Sequence, residues 1–196
     1  MTTRRPRRPL VGLAPAYPAQ VDLTAFEHIV SEGYLDDLGA LSLGELRSRR
    51  AECQGVEDAL SYLRRLVQGR LDIVHAELDR RASGAPSDLA SLVAALPAIL
   101  SSHVAGSTGN RLAYAEVPAD DPTLTSELDQ CCPLDRLREL PQLTLEVLQT
   151  MAGELTALER VVSDRRRQSF DRLDVLSGEL ARRYRTGEAS VDALLG

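Results

Sequence analysis

Glu57, Ser61, Arg64, Gln68 and Asp72 follow one another at steps of three and four residues, and Glu159, Ser163, Arg166 and Asp174 repeat them with Phe170 in the place of the glutamine. These residue types suit a guanine-containing ligand. Carboxylates accept hydrogen bonds from the guanine N1 and N2 amines, Arg forks pair with O6 and N7 or with phosphate oxygens, and hydroxyls serve the remaining polar atoms. Arg planes also stack on purines. On a helix turning about 100° per residue, the first five residues sit at about 0°, 40°, −20°, 20° and 60°, which makes one polar stripe. The neighbouring apolar residues Val56, Leu60, Leu63, Val67 and Val74 centre near about −80°, so the polar stripe borders an apolar seam.

The two stripes belong to an internal repeat. Residues 56–81 laid over 158–183 at an offset of 102 give eleven identities in 26 positions without a gap. Most of these are polar, among them Glu57/Glu159, Ser61/Ser163, Arg64/Arg166, Asp72/Asp174, Glu77/Glu179 and Arg81/Arg183. Shared burial in a coiled coil does not require a Ser to match a Ser. In an antiparallel hairpin the two ridges would line one groove, about 22 Å long at 1.5 Å per residue. Two related ridges ask for a ligand with its own approximate symmetry and two guanines, and cyclic di-GMP has that form. The alternative is a structural coiled-coil adaptor without a nucleotide, because Glu and Arg seven residues apart on a helix flank also make ordinary salt-bridge positions. The other charged runs, Arg47-Ser48-Arg49-Arg50 and Arg182 to Arg185, read as solvated faces.

The elements that must carry these stripes are two long helices. Ser42-Leu43-Gly44-Glu45 is a capping box, in which hydroxyl and carboxylate satisfy the free amides of a helix start. No Pro follows until Pro86, and Leu46, Cys53, Val56, Leu60, Leu63, Val67, Val74 and Leu78 recur at helical spacing. The second helix follows Pro141, carries Val147, Met151, Leu155, Leu158, Val162, Leu173, Leu176 and Leu180, and stops at Thr186-Gly187, where Gly takes the left-handed conformation. The fold class expected is all-α: a long antiparallel coiled-coil hairpin of helices at about 43–82 and 142–186, with additional short helices. Residues 22–31 read as a short helix, 34–39 as a compact lead-in, 88–100 as a short apolar helix capped by Ser87 and entered or kinked at Pro97, 105–123 as an exposed loop and 134–140 as one or two helical turns. A disordered Arg/Pro-rich arm at 1–21 precedes the helical domain at 22–187, within which 83–141 connects the long helices, and a tail at 188–196 follows it.

Composition narrows the function classes. The 196 residues are 43% hydrophobic and 4% aromatic with no Trp, too few aromatics for a β-sandwich. No apolar run approaches the roughly 20 residues of a membrane-spanning helix. All 23 basic residues are Arg; the net charge is −6, and setting aside Arg4, Arg5, Arg7 and Arg8 leaves −10 on the body. An acidic body repels DNA phosphates but suits a protein with a basic, DNA-facing surface. Three Cys and three His lack metal-ligand spacing, and the odd thiol count fits a reducing cytoplasm. The Arg-bearing N-terminus has no apolar stretch after it and does not read as a signal peptide. No nucleophile, paired Glu-x-x-His motif or Gly-rich phosphate loop points to an enzyme.

The spacing Glu57-x3-Ser61-x2-Arg64-x3-Gln68-x3-Asp72 resembles the E-x3-S-x2-R-x3-Q-x3-D signature of the RsiG family, cyclic di-GMP-armed anti-sigma factors that restrain the sporulation sigma factor WhiG in mycelium-forming bacteria. The first copy matches at five positions and the second at four, with Phe170 in the Gln slot. The resemblance covers most of residues 34–185, from the lead-in at Tyr34 to Arg47 onward; the arm and residues 101–140 add nothing to it. It implies an antiparallel coiled coil that holds a cyclic di-GMP dimer between its motif helices and, so loaded, keeps a WhiG-type sigma factor from RNA polymerase, with no catalytic cofactor, metal, nucleic acid or membrane partner. In this reading Asp72 and Asp174 meet guanine edges, Arg64 and Arg166 stack on or pair with guanine and phosphate, and Glu57, Glu159, Ser61, Ser163 and Gln68 complete the network.

Overall fold

The computed structural model describes residues 23–84, 90, 93–97 and 122–187. The expectations for the arm at 1–21, the tail at 188–196 and most of the segment from 85 to 121 lie outside these residues, although 93–97 are helical. Every regular element among the described residues is a helix, in the order α1 (Leu23–Val30), α2 (Leu43–Ala82), α3 (Pro122–Cys131), α4 (Leu134–Glu139), a 3-10 turn (Leu140–Gln142) and α5 (Leu145–Thr186).

Local chemistry fixes both long helices. Ser42 is extended at the N-cap of α2, its Oγ accepts from the Glu45 amide at 3.2 Å, and the Glu45 carboxylate accepts from the Ser42 amide at 2.7 Å. Thr144 plays the same part for α5, accepting from the Val147 amide at 3.3 Å. Such caps each contribute about 1 kcal/mol. At the far end of α5, Gly187 turns left-handed at φ 75°. Between the caps, α2 and α5 pack antiparallel along an aliphatic seam that includes Leu46, Val67 and Val74 from one side and Leu148, Leu155, Val162 and Leu176 from the other, all fully buried. Burial of each such side chain stabilises by about 2 kcal/mol, and the seam explains why two 40-residue-class helices persist in water. Val147 is not part of it: it stands 40% exposed while Leu148 takes the buried place, so the sequence reading is one residue out at this turn.

The short elements make the hairpin a duplicated unit. α1 packs on α5 and α2, and α3 packs on the same two helices; Ile29 and Leu128 are fully buried there. Helix α3 falls partly in the stretch read as an exposed loop, since Pro122 and Thr123 already belong to it. Pro at the first helical position is well tolerated, because its missing N–H would have had no partner there. The lead-ins also repeat at the offset of 102: Leu35/Leu137, Leu38/Leu140, Leu41/Leu143, Leu43/Leu145 and Leu46/Leu148 are identical pairs. Residues 134–140, read as one or two helical turns, thus open the second copy of the lead-in to a long helix.

Candidate functional site

The motif residues meet where the two long helices cross registers. Glu57, buried beside the seam, accepts at Oε1 from Ser61 Oγ (2.6 Å) and from Arg166 Nε of the opposite helix (2.9 Å). Arg166 Nε also reaches Ser61 Oγ at 2.6 Å. The other half mirrors this: Glu159 Oε1 accepts from Ser163 Oγ (3.0 Å) and from Arg64 Nε (2.9 Å). The cross-helix pair Arg166–Glu57 is matched by Arg64–Glu159 at i + 102 and j − 102, the relation of a two-fold interface, while the bond from Arg166 to Ser61 belongs to one half alone. Glu, Ser and Arg of both copies therefore form one network across the hairpin.

The fourth position breaks the symmetry. Gln68 Nε2 crosses to Glu159 Oε1 at 3.1 Å, whereas Phe170 has no donor to offer Glu57. Its ring instead lies against Arg166, with the guanidinium carbon 4.8 Å from the ring centre. Gln168 does not take over the Gln role, being exposed with its amide turned to the Asp164 carbonyl at 3.5 Å.

Asp72 and Asp174 stand apart from this cluster. Because the helices are antiparallel, the two ridges overlap only along their Glu-to-Arg halves, and the aspartates run out toward opposite ends, roughly 35 Å apart at 1.5 Å per residue. Asp72 is half-buried and Asp174 exposed. The expectation that all nine residues line a single 22 Å groove is corrected accordingly: seven converge at the centre and the aspartates mark its two extremities.

The electrostatics of the centre are balanced but open. Partial burial pushes the Glu159 carboxyl up, yet the donors from Arg64, Ser163 and Gln68 outweigh it and hold the group below the usual carboxylate range. Among the described residues, each motif Arg is engaged through Nε, and about a third of each side chain is exposed. The hydrogen bonds that hold these two guanidinium groups run through Nε, which leaves Nη donors of the kind that pair with a phosphate or with guanine O6 and N7.

Two further tiers of cross-bonds use the other repeated polar residues. Arg70 Nη1 donates to the Leu128 carbonyl (3.4 Å), to Asp129 (2.7 Å) and to the Cys132 carbonyl, and Arg172 Nη2 donates to the Val30 carbonyl at 3.2 Å. Arg81 donates to the carbonyls of Leu140 and Leu143, both at 2.7 Å, while Arg183 donates to those of Leu38 and Leu41, both at 2.6 Å. Glu77 and Glu179 hold these last two arginines at 2.7 and 2.8 Å. The charged runs are therefore not solvated faces throughout. Arg183 is buried, Arg47 donates to Tyr184 Oη, Arg49 to the Tyr34 carbonyl and Arg50 to Ser177 Oγ at 3.0 Å.

These carboxylates make stability pH-dependent in a defined direction. Hydrogen bonds from Arg182 and Arg183 pull Glu179 down to about 2, below the roughly 4.3 of a free Glu. The unfolded chain then binds more protons than the folded one as pH drops, so the contribution is complete above pH about 4.5 and is lost on the way down to about 2. Melting temperatures followed by circular dichroism are expected to stay level from pH 7 to 5 and to fall from about 4.5 toward 2. A Glu159→Gln, Glu179→Gln variant should show a shallower fall; an unchanged slope would place the titration elsewhere.

Among the described residues no helix is long and apolar enough to cross a membrane, and no group of His, Cys, Asp and Glu is arranged to hold a metal ion. In comparison with known proteins, residues 32–100 match the family model described as RsiG-like, a span that runs from the first lead-in through the whole of α2 with its complete five-residue motif. The match points to an anti-sigma-factor type of regulator. No curated protein matches the chain.

Proposed function

We propose that this chain, RsiG-like over residues 32–100, is a cytoplasmic anti-sigma factor that takes cyclic di-GMP between α2 and α5 and, when loaded, sequesters a WhiG-type sigma factor and so represses sporulation genes. The observation that carries this reading is the central network. Arg64 and Arg166 come from different helices, are held by Glu159 and Glu57 through Nε, and keep Nη donors for a ligand. A ligand with two phosphates and two guanines satisfies both forks at once. The glutamates, Ser61, Ser163 and Gln68 then serve as acceptors and donors within reach of guanine edges, and Asp72 and Asp174 meet bases or ribose at the two ends.

The pairing of each Arg with a Glu has a regulatory consequence. Glu57 and Glu159 hold the two arginines through Nε, so a nucleotide meets forks that are already oriented. Occupancy then changes the charge displayed along the hairpin, and the sigma factor, with its basic DNA-facing surface, meets a different face of an acidic protein. If ligand and sigma factor prefer the same loaded state, each raises the affinity of the other by the same factor.

Calorimetry with cyclic di-GMP, GTP and cyclic di-AMP, with and without the sigma factor, tests the proposal. Saturable binding of cyclic di-GMP alone among the three, tightened by the sigma factor, is the expected result. Absence of any nucleotide response would leave a structural coiled-coil adaptor in its place.

A further inference from the structure

Phe170 is one of only two Phe in the chain, and it does nothing for the core. It is 37% exposed and is not among the hydrophobic residues packed against the aliphatic seam. Its helical position is that of Gln68 in the other copy, and Gln68 sits in the central network through its bond to Glu159. The ring is held in place by the Arg166 guanidinium over one face. An exposed aromatic positioned by one of the two motif arginines has the properties of a stacking platform, because every nucleobase offers a π-face and an Arg over the ring adds a cation–π contribution.

We propose that Phe170 stacks on one base of the bound nucleotide, so that the groove has two unequal halves: one reads its base with the Gln68 amide, the other stacks its base on the face of the Phe170 ring that Arg166 does not cover. This rests on the nucleotide reading above and adds a specificity-determining residue to it. Stacking is indifferent to the hydrogen-bonding edge of the base, so the Phe170 half tolerates an exchange of guanine for another purine better than the Gln68 half does.

The chain has no Trp, so Phe170→Trp places a single fluorescent indole at the site. Cyclic di-GMP is titrated by calorimetry into wild type, Phe170→Leu and Phe170→Trp, with tryptophan emission followed for the last. Expected are retained affinity and quenched emission for Phe170→Trp, and about tenfold or greater weakening for Phe170→Leu, as for loss of one stacked base. The melting temperature of Phe170→Leu should stay close to wild type, because an exposed side chain outside the core is replaced. Wild-type affinity in Phe170→Leu, or binding by Phe170→Trp without a change in emission, overturns the stacking role while leaving the nucleotide reading intact. Failure of the wild type to bind cyclic di-GMP overturns both.

Discussion

Alanine at both Arg64 and Arg166 is expected to weaken cyclic di-GMP binding at least about a hundredfold and to abolish nucleotide-dependent capture of the sigma factor, with helix content unchanged. The size follows from the number of bonds lost. A hydrogen bond to a charged partner is worth about 1.5–3 kcal/mol, and each fork offers its Nη edge while Nε stays with a glutamate of the opposite helix. Each single variant should lose part of the affinity, because each arginine serves one half of the groove. Lys at both positions restores the charge but not the planar fork, so a partial recovery is expected. Stability falls as well, since Glu57 is largely buried and keeps only Ser61 and Gln54 as donors when Arg166 is removed. Far-UV circular dichroism at a temperature well below the melting transition separates that loss from the loss of binding. Undiminished nucleotide affinity in the double variant would remove both arginines from the site.

The parts of this architecture that were legible in the sequence are those with local signals. The capping box at Ser42, the heptad-like leucines and the left-handed Gly187 are written within a few residues of where they act, and both long helices follow from them. The convergence of Glu, Ser and Arg was legible because the repeat put identical residues at identical helical angles. Non-local chemistry was not. Nothing within a turn of Arg183 shows that the carbonyls of Leu38 and Leu41 will be brought to it from more than 140 residues away, and a run of four charged or polar residues at a helix end is ordinarily solvated. Among the repeated polar identities, Arg70/Arg172, Glu77/Glu179, Arg80/Arg182 and Arg81/Arg183 are accounted for by structure alone, in or beside the clamps between the two copies; the central Glu, Ser and Arg with their aspartates, and the exposed Arg65/Arg167, are not. The duplicated lead-in is written only as five Leu pairs, without the polar identities that mark the repeat within the long helices. Helix α3 was hidden by the Pro and Asp residues before it, although Pro122 is what a first helical position admits.

The clamps carry the largest expected effect on stability. Glu77 is completely buried on α2 and accepts from Arg81 Nε at 2.7 Å and from Arg80. Arg81 then spends its Nη1 and Nη2 on the carbonyls of Leu143 and Leu140, the two residues that deliver the chain into the Thr144 cap of α5. Arg81→Ala removes three bonds at once. It also takes one of two arginines from the Glu77 carboxylate, takes the Arg81 donor from the Leu143 carbonyl, and leaves the carbonyl of the fully buried Leu140 with the Leu143 amide at 3.2 Å. Breaking a buried pair from one side costs about 3–5 kcal/mol, so a loss of about 3 kcal/mol is expected in urea denaturation. Arg183→Ala should cost about the same at the opposite end, where Glu179 and the carbonyls of Leu38 and Leu41 repeat the arrangement. The two sites lie at opposite ends of the hairpin and share no partner, so their effects should add in the double variant. Glu77→Gln is the sharper control, since it keeps the shape and one acceptor oxygen but removes the charge that orients Arg81. If Arg81→Ala and Arg183→Ala together shift the midpoint no more than a surface substitution does, the lead-ins are held by their leucines alone and the polar repeat outside the central network has no stabilising part.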